Sequence, residues 1–220
     1  MKARIQDVCE WLGLQATDEQ VVAAAGFLEL LARWNSVYNL TSVREADAMF
    51  TQHLADCLAL VPHLMAQGSV SRVLDVGSGG GLPGVVIAIF MPKVQVCCVD
   101  AVGKKAAFVR QVAGSLGLRN LSAVHGRVET LRKTDYDLIT SRAFATLEKF
   151  VQLTEGALAA GGVWVAMKGR APDDEVAALP DRIEVFHVEP LQVPGLDAQR
   201  CLVWMRPKPS HPAHCVPPAA

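Results

Sequence analysis

From residue 72 onward, short runs rich in β-branched residues alternate with segments of helical period, and this alternation limits the possible folds more than any other feature. The runs are RVLDV (72–76), VQVCCVD (94–100), LSAVH (121–125), YDLITS (136–141), GVWVAMK (162–168), RIEVFHV (182–188) and RCLVWM (200–205). Helical segments at 83–90, 104–116 and 146–160 separate the first five, with a weak connection over 126–135. Strand, helix, strand at this spacing predicts an α/β fold with a mainly parallel seven-stranded sheet, because right-handed crossovers place helices on both faces. The last two runs are joined by PLQVPGLDAQ without a helix, which predicts an antiparallel pair at one edge.

Residues 1–67 read differently. Val21, Leu28 and Leu31, with Val22 and Ala25, fall at helical spacing, Thr17 and Asp18 supply a cap, and Pro62 ends a later segment. The expected organisation is an N-terminal helical layer over 1–67, a core over 68–206 and a disordered tail over 207–220, which holds five prolines and almost no core-forming residue. Apolar residues make up 51% of the 220, enough for a buried core without staples. Six cysteines show no C-x-x-C spacing, so neither a zinc site nor a disulfide framework is expected. Without a signal-like start or a run of about eighteen apolar residues, a cytoplasmic protein away from the membrane is expected. The net charge of −1 gives the chain no general attraction for nucleic acid, so any such contact rests on a local patch.

The first strand runs into VLDVGSGGGLPGVVIAIF (73–90). From Gly79 the turn satisfies the G-x-G-x-x-G dinucleotide fingerprint; from Asp75 it matches the D-x-G-x-G turn of S-adenosylmethionine enzymes. Gly77, Gly79, Gly80 and Gly81 let the backbone approach a ligand, and Pro83 suits the first position of the next helix. Asp100 ends the second strand 23 residues beyond Gly77, where a carboxylate meets ribose hydroxyls. Its structural alternative is a helix cap ahead of Lys104 and Lys105. Asp75 interrupts an apolar strand where a pyrophosphate would be repelled and a cationic methyl donor tolerated, although it alternatively serves only to satisfy backbone N–H groups of the turn. GRVETL (126–131) follows the third strand, and there Val128 and Glu129 either present an amide and a carboxylate to an adenine or form an ordinary solvent loop.

Several longer blocks go beyond the glycine turn: WNSVYNLTSVRE (34–45), HLADCLAL (53–60), KKAAFVRQV (104–112), RVETL (127–131), SRAFATL (141–147) and MKG (167–169). With VLDVGSGGGLPGVVIAI (73–89) they closely resemble the bacterial small-subunit ribosomal RNA methyltransferases that make 7-methylguanosine, the glucose-inhibited division protein B family, over roughly residues 27–170. Gly80 stands where that family often has proline, and the third residue of the HLADC block varies, neither of which removes a hydrogen-bonding group. The resemblance implies a Rossmann-like class I methyltransferase fold and an S-adenosylmethionine-dependent enzyme acting on N7 of a guanine in 16S rRNA of the small ribosomal subunit. It implies a donor site of Gly77 and Leu82, Val128 and Glu129, and Arg142, with Asp100 at the ribose and Asp75 and Gly79 beside it. The expected partner is 16S rRNA or the small subunit, with no metal and no membrane, and the expected state is a monomer.

Guanine N7 carries an in-plane lone pair and no proton, so no general base is needed and catalysis rests on alignment. The segment after the fourth strand reads SRAF, unlike the (D/N/S)-P-P-(Y/F) motif of amino-group methyltransferases, and it lacks the cysteine of cytosine C5 enzymes. Arg142 or Lys168 is the candidate group for the N7 and O6 acceptors, and Phe144 the candidate for stacking on the base; core packing and a solvent lysine are the alternatives for the latter two. Residues 101–150 hold nine basic residues against four acidic ones, and Lys104, Lys105 and Arg110 are the phosphate candidates among them; Arg119 and Arg132 read more as a solvated face. From the helical layer, Asn39, Arg44 and His53 are candidate substrate residues, and His53 and Asp56, at i and i+3, are expected to pair or to tie the layer to the core. A methyltransferase of the same fold with a small-molecule or protein substrate, and a nucleotide-binding regulatory protein, are the alternatives.

Overall fold

The computed structural model describes residues 1–68, 70–131 and 135–209. The tail expected to be disordered falls, from residue 210 on, outside the described residues, as do Arg132 and Lys133. The N-terminal stretch is helical: α1 (Lys2–Trp11), α2 (Asp18–Tyr38), α3 (Ala46–Met49), a π-helical turn (Phe50–Ala55), α4 (Asp56–Leu58) and α5 (Val61–Ala66). Thr17 starts α2 with a capping box in which its hydroxyl accepts from Gln20 N and the Gln20 side chain accepts from Thr17 N. Val21, Ala25, Leu28 and Leu31 of α2 are buried as their spacing predicts, whereas Val22 is about half exposed.

The sheet follows, as β1 (Arg72–Val76), α6 (Gly84–Phe90), β2 (Gln95–Asp100), α7 (Gly103–Ser115), β3 (Leu121–His125), β4 (Tyr136–Arg142), α8 (Leu147–Thr154), β5 (Leu158–Lys168), α9 (Asp173–Ala177), β6 (Ile183–Leu191) and β7 (Arg200–Pro207). Its seven strands lie in the order β3-β2-β1-β4-β5-β7-β6. The first five are parallel, and β7 runs antiparallel to both β5 and β6, which gives the antiparallel edge the helix-free connection predicted. Two differences are local. Pro83 sits at the N-cap position of α6 instead of inside it. α8 stops at Thr154, whose hydroxyl bonds back to Phe150 O and accepts from Trp164 Nε1, so β5 begins four residues earlier than the run of large side chains suggests.

Buried apolar side chains form one cluster on each face of the sheet. The larger joins α2, α4, α6 and α7 through Phe27, Leu31, Leu58, Val86 and Phe108; the smaller lies under α8 and includes Leu147, Phe150 and Trp164. The strand order reverses between β1 and β4, and it is outside the carboxyl ends of strands at such a point that open α/β sheets bind ligands.

Candidate functional site

The glycine turn crosses the end of β2: Gly77 N and Ser78 N both donate to Val99 O, at 2.9 and 3.2 Å. Gly77 has φ +66, and a Cβ there would collide with the Phe144 ring, so this position needs glycine for both conformation and space. Gly79 N donates to Asp100 Oδ2 at 2.9 Å, while Asp100 Oδ1 accepts from Val102 N at 2.8 Å. Asp100 thus ties the turn to the start of α7, and Lys105 Nζ lies 4.0 Å from Oδ2. Each carboxylate oxygen has a further lone pair, so these bonds orient the acid without exhausting it.

Asp75 is fully buried beneath the turn. Its Oδ2 accepts from Gly84 N at 2.8 Å, and Cys98 Sγ lies 3.8 Å away. A Cβ on Gly84 would press on both groups, so the small residue lets α6 begin directly on the acid. Burial pushes the Asp75 carboxyl up to about 7, opposed by the Gly84 amide bond and the Arg142 charge. This placement answers to the structural alternative, in which the acid braces the turn from below, and it weakens the charge argument that singled out Asp75.

Two cavities meet at Gly77. The smaller, about 290 Å³, is lined by Val76, Asp100, Gly126, Val128, Glu129 and Phe144. The larger, about 690 Å³, takes Leu82 and the glycine turn on one side, Lys105, Arg142 and Lys168 around its rim, and Thr41, His53 and Asp56 from the helical layer above. Seven of the eight expected donor residues thus line one or other cavity, all but Asp75, and Gly77 lines both. An apolar chamber carrying two carboxylates and opening over a side-chain-free turn fits the adenosine portion of the expected donor.

The cations of the larger cavity are held in place. Arg142 Nη1 donates to Gln52 O at 2.7 Å and to Asp56 Oδ2 at 3.0 Å, and Nη2 lies 3.2 Å from His53 Nδ1. Arg200 Nε donates to the other Asp56 oxygen at 2.8 Å, so one buried carboxylate joins the start of α4 to β4 and β7. His53 therefore pairs with Arg142 and, through Nε2, with Thr41 Oγ1 at 2.8 Å; the expected His53 to Asp56 pair is replaced because both side chains turn toward Arg142. Burial, reinforced by the Arg142 charge, pushes the His53 imidazole below its ordinary value and favours its neutral form. Lys168 Nζ donates to Glu175 Oε2 at 2.7 Å and Ala145 O at 3.2 Å, and the same Glu175 oxygen accepts from Leu147 N at 2.7 Å.

Other candidates lie further out. Asn39 ends α2 at φ +50, and its Oδ1 accepts from the exposed Arg44 at 3.3 Å. Lys104 is exposed on the first turn of α7. Arg110 is drawn toward the outer strand, donating to Ala123 O at 3.2 Å, and is not brought into the cleft. Phe144 lines the smaller cavity and packs edge-on against Phe150 with centroids 6.5 Å apart, so its ring faces the donor side and not the cation-lined cleft.

Sequence reasoning missed Arg200, Glu175 and Asn35. Arg200 comes from the antiparallel return, where no motif marks it. Asn35 is buried, accepting from Thr41 N and donating to Val43 O, which shapes the N-L-T loop above the cleft. Its place within the WNSVYNLT block was the available signal.

Comparison with known proteins gives concordant results. The profile of one family, described as rRNA small subunit methyltransferase G, matches residues 20–203. A protein of Methylibium petroleiphilum named ribosomal RNA small subunit methyltransferase G is 57% identical over 199 residues, covering 90% of each chain. A Polaromonas protein of the same name is 56% identical over 203 residues, covering 90% of this chain and 89% of its own. Among solved structures, a SAM-dependent methyltransferase from Aquifex aeolicus superposes with a TM-score of 0.53 at 15% identity, over 72% of this chain and 92% of its own. A TehB-like SAM-dependent methyltransferase from Corynebacterium glutamicum gives 0.53 at 16% identity, over 84% and 99%. At those identities the structural likeness speaks to the fold alone.

Proposed function

The chain belongs to the rRNA small subunit methyltransferase G family, and on that premise we propose that it transfers a methyl group from S-adenosylmethionine to N7 of a guanine in 16S rRNA. The observation that carries the reading is the meeting of a nucleoside-sized chamber and a cation-rimmed cleft at one side-chain-free residue, Gly77. The reading takes in a cytoplasmic location, where ribosomal RNA lies, and a monomeric enzyme.

S-adenosylmethionine, when bound, supplies a methyl group on a positively charged sulfur. Asp100 would hold the ribose hydroxyls, and Val128 and Glu129 would hold the adenine through an amide and a carboxylate. Gly77, which lines both cavities, and Leu82, which lines the cleft, would leave the methyl-bearing end open to the acceptor side. The guanine N7 lone pair points at the methyl group during transfer, so a protein donor on the acceptor edge is left with O6 alone. Arg142, fixed by Asp56, Gln52 and His53, and Lys168, fixed by Glu175, are the groups placed to provide it. Because no proton leaves N7, the rate gain comes from in-line placement, worth up to about 7 to 11 kcal/mol by the general entropy argument. Neutral His53 takes no proton and acts by holding Arg142 and Thr41.

Two experiments test the reading. Calorimetry with S-adenosylhomocysteine and NAD side by side should show binding of the first alone; binding of NAD alone would support the nucleotide-binding regulatory alternative. Transfer of labelled methyl groups should occur to rRNA and not to cell-extract proteins or metabolites; the reverse pattern favours the same-fold alternative with another substrate.

A further inference from the structure

A ladder of aromatic rings runs from the core to the rim of the cleft and ends in solvent. Phe27 and Phe108 have centroids 6.4 Å apart, Phe108 and Trp34 5.4 Å, and Trp34 and Tyr38 5.0 Å with a 39° interplanar angle. Phe27 and Phe108 are fully buried and Trp34 is half-buried, whereas Tyr38 is 44% exposed and its neighbour Val37 is 68% exposed. The first three rings bind α2 to α7 and are accounted for as packing. The last ring extends the stack by one step without gaining burial, and packing alone does not account for it.

Its surroundings are basic and belong to the mouth of the cleft. Leu31 and Leu40, on either side of Tyr38 in sequence, line the larger cavity together with Lys105. Lys104, one helical turn before Phe108, is exposed at the start of α7, and Arg44 is held beside the end of α2 by Asn39. An exposed aromatic face backed by a rigid ring and flanked by cations is what a single-stranded base with its phosphates requires, since every base offers a π-face and stacking tolerates sequence.

We propose that Tyr38 is a stacking platform for an unpaired nucleotide of the rRNA that neighbours the target guanine, with Lys104 and Arg44 taking the adjoining phosphates. The inference rests on the rRNA methyltransferase reading and deepens it by giving the acceptor strand a second anchoring point outside the cleft. Half-buried Trp34, itself packed on buried Phe108, backs the platform, so the base docks on a surface already formed.

Methyl transfer is measured on deproteinised 16S rRNA and on RNA fragments in which each nucleotide flanking the modified guanine is made abasic in turn. Tyr38→Ala raises KM for rRNA about 5- to 100-fold, the range that base stacking supports, with kcat at saturating RNA and S-adenosylhomocysteine affinity unchanged. Tyr38→Phe and Tyr38→Trp keep the parent KM, because the ring carries the effect. One abasic position reproduces the rise with the parent enzyme and adds nothing to Tyr38→Ala, a coupling that a purely structural role for Tyr38 would not produce. Unchanged KM in Tyr38→Ala, or an RNA series with no position coupled to Tyr38, overturns the platform while leaving the function reading intact. Absence of transfer by the parent enzyme to deproteinised rRNA and to small subunits alike overturns the function reading instead.

Discussion

Arg142 Nη1 lies 3.0 Å from Asp56 Oδ2, an ion pair between the end of β4 and the helical layer that the sequence separates by 86 positions. Asp56 is almost fully buried and also accepts from Arg200, so the roof of the cleft and its floor share one carboxylate. The pairing makes the helical layer part of the cleft: it holds Arg142, which lines the cleft, in one orientation.

Removing that carboxylate takes the anion from two part-buried cations, which keep only neutral hydrogen-bond partners such as Gln52 O and Gln199 O. Asp56→Ala should lower stability by about 3 kcal/mol, the scale for breaking a buried pair. Donor affinity should remain, because the small chamber does not touch Asp56, while kcat falls at least tenfold. Urea denaturation, calorimetry and turnover on one preparation separate the three quantities.

Gly77 is set by geometry. A left-handed conformation costs a non-glycine residue roughly 1 to 2 kcal/mol, and the added Cβ collides with Phe144. Gly77→Ala should reduce S-adenosylhomocysteine affinity more than tenfold, and Gly77→Asp should abolish it. Adding Phe144→Ala to Gly77→Ala relieves the collision but not the strain, so calorimetry should find partial recovery.

Phe144 faces the donor chamber. Phe144→Leu should therefore weaken S-adenosylhomocysteine binding about tenfold while KM for RNA stays within twofold. A change in KM for RNA at constant donor affinity would return Phe144 to the base-stacking role its sequence position suggested.

Asp75 sets a pH signature. Its carboxyl is raised by burial from 3.8 to about 7, so the folded state holds a proton that the unfolded chain has lost between those values. The stability this contributes is full below about pH 4 and is lost as pH rises through about 7. Asp75→Asn keeps an acceptor for Gly84 N and removes the titration. Between pH 5 and pH 8, the variant should gain roughly 2 kcal/mol relative to the parent. His53, lowered by burial and by Arg142, acts in the opposite sense, with stability lost as pH falls below 6.5, and it cancels in this comparison because both proteins carry it. Equal pH profiles of urea stability would place the Asp75 titration elsewhere.

Much of the sheet was legible because parallel strands buried on both faces read as continuous apolar runs, and β1 and β2 fall where those runs lie. The lining of the small chamber was legible for a related reason: Gly77, Asp100, Val128 and Glu129 all lie at or just past the carboxyl ends of consecutive strands, so spacing alone brings them together. The acceptor side was less so. Arg142 and His53 could be named from their blocks, but the bond that unites them with Asp56 and Arg200 spans long sequence separations that no local period encodes. Asp75 left two roles open, because the sequence shows an acid at this place in β1 and not whether it faces a ligand or the helix start; the structure adds its bond to Gly84 N.

The central claim is the identity of the modified atom. Small-subunit rRNA from a strain lacking this chain, incubated with the enzyme and S-adenosylmethionine, is reduced with borohydride and cleaved with aniline, which breaks the chain at 7-methylguanosine. One new cleavage at a guanine of 16S rRNA, dependent on both enzyme and donor and lost in Gly77→Asp, is the predicted result. Methyl incorporation without any borohydride-dependent cleavage would contradict it.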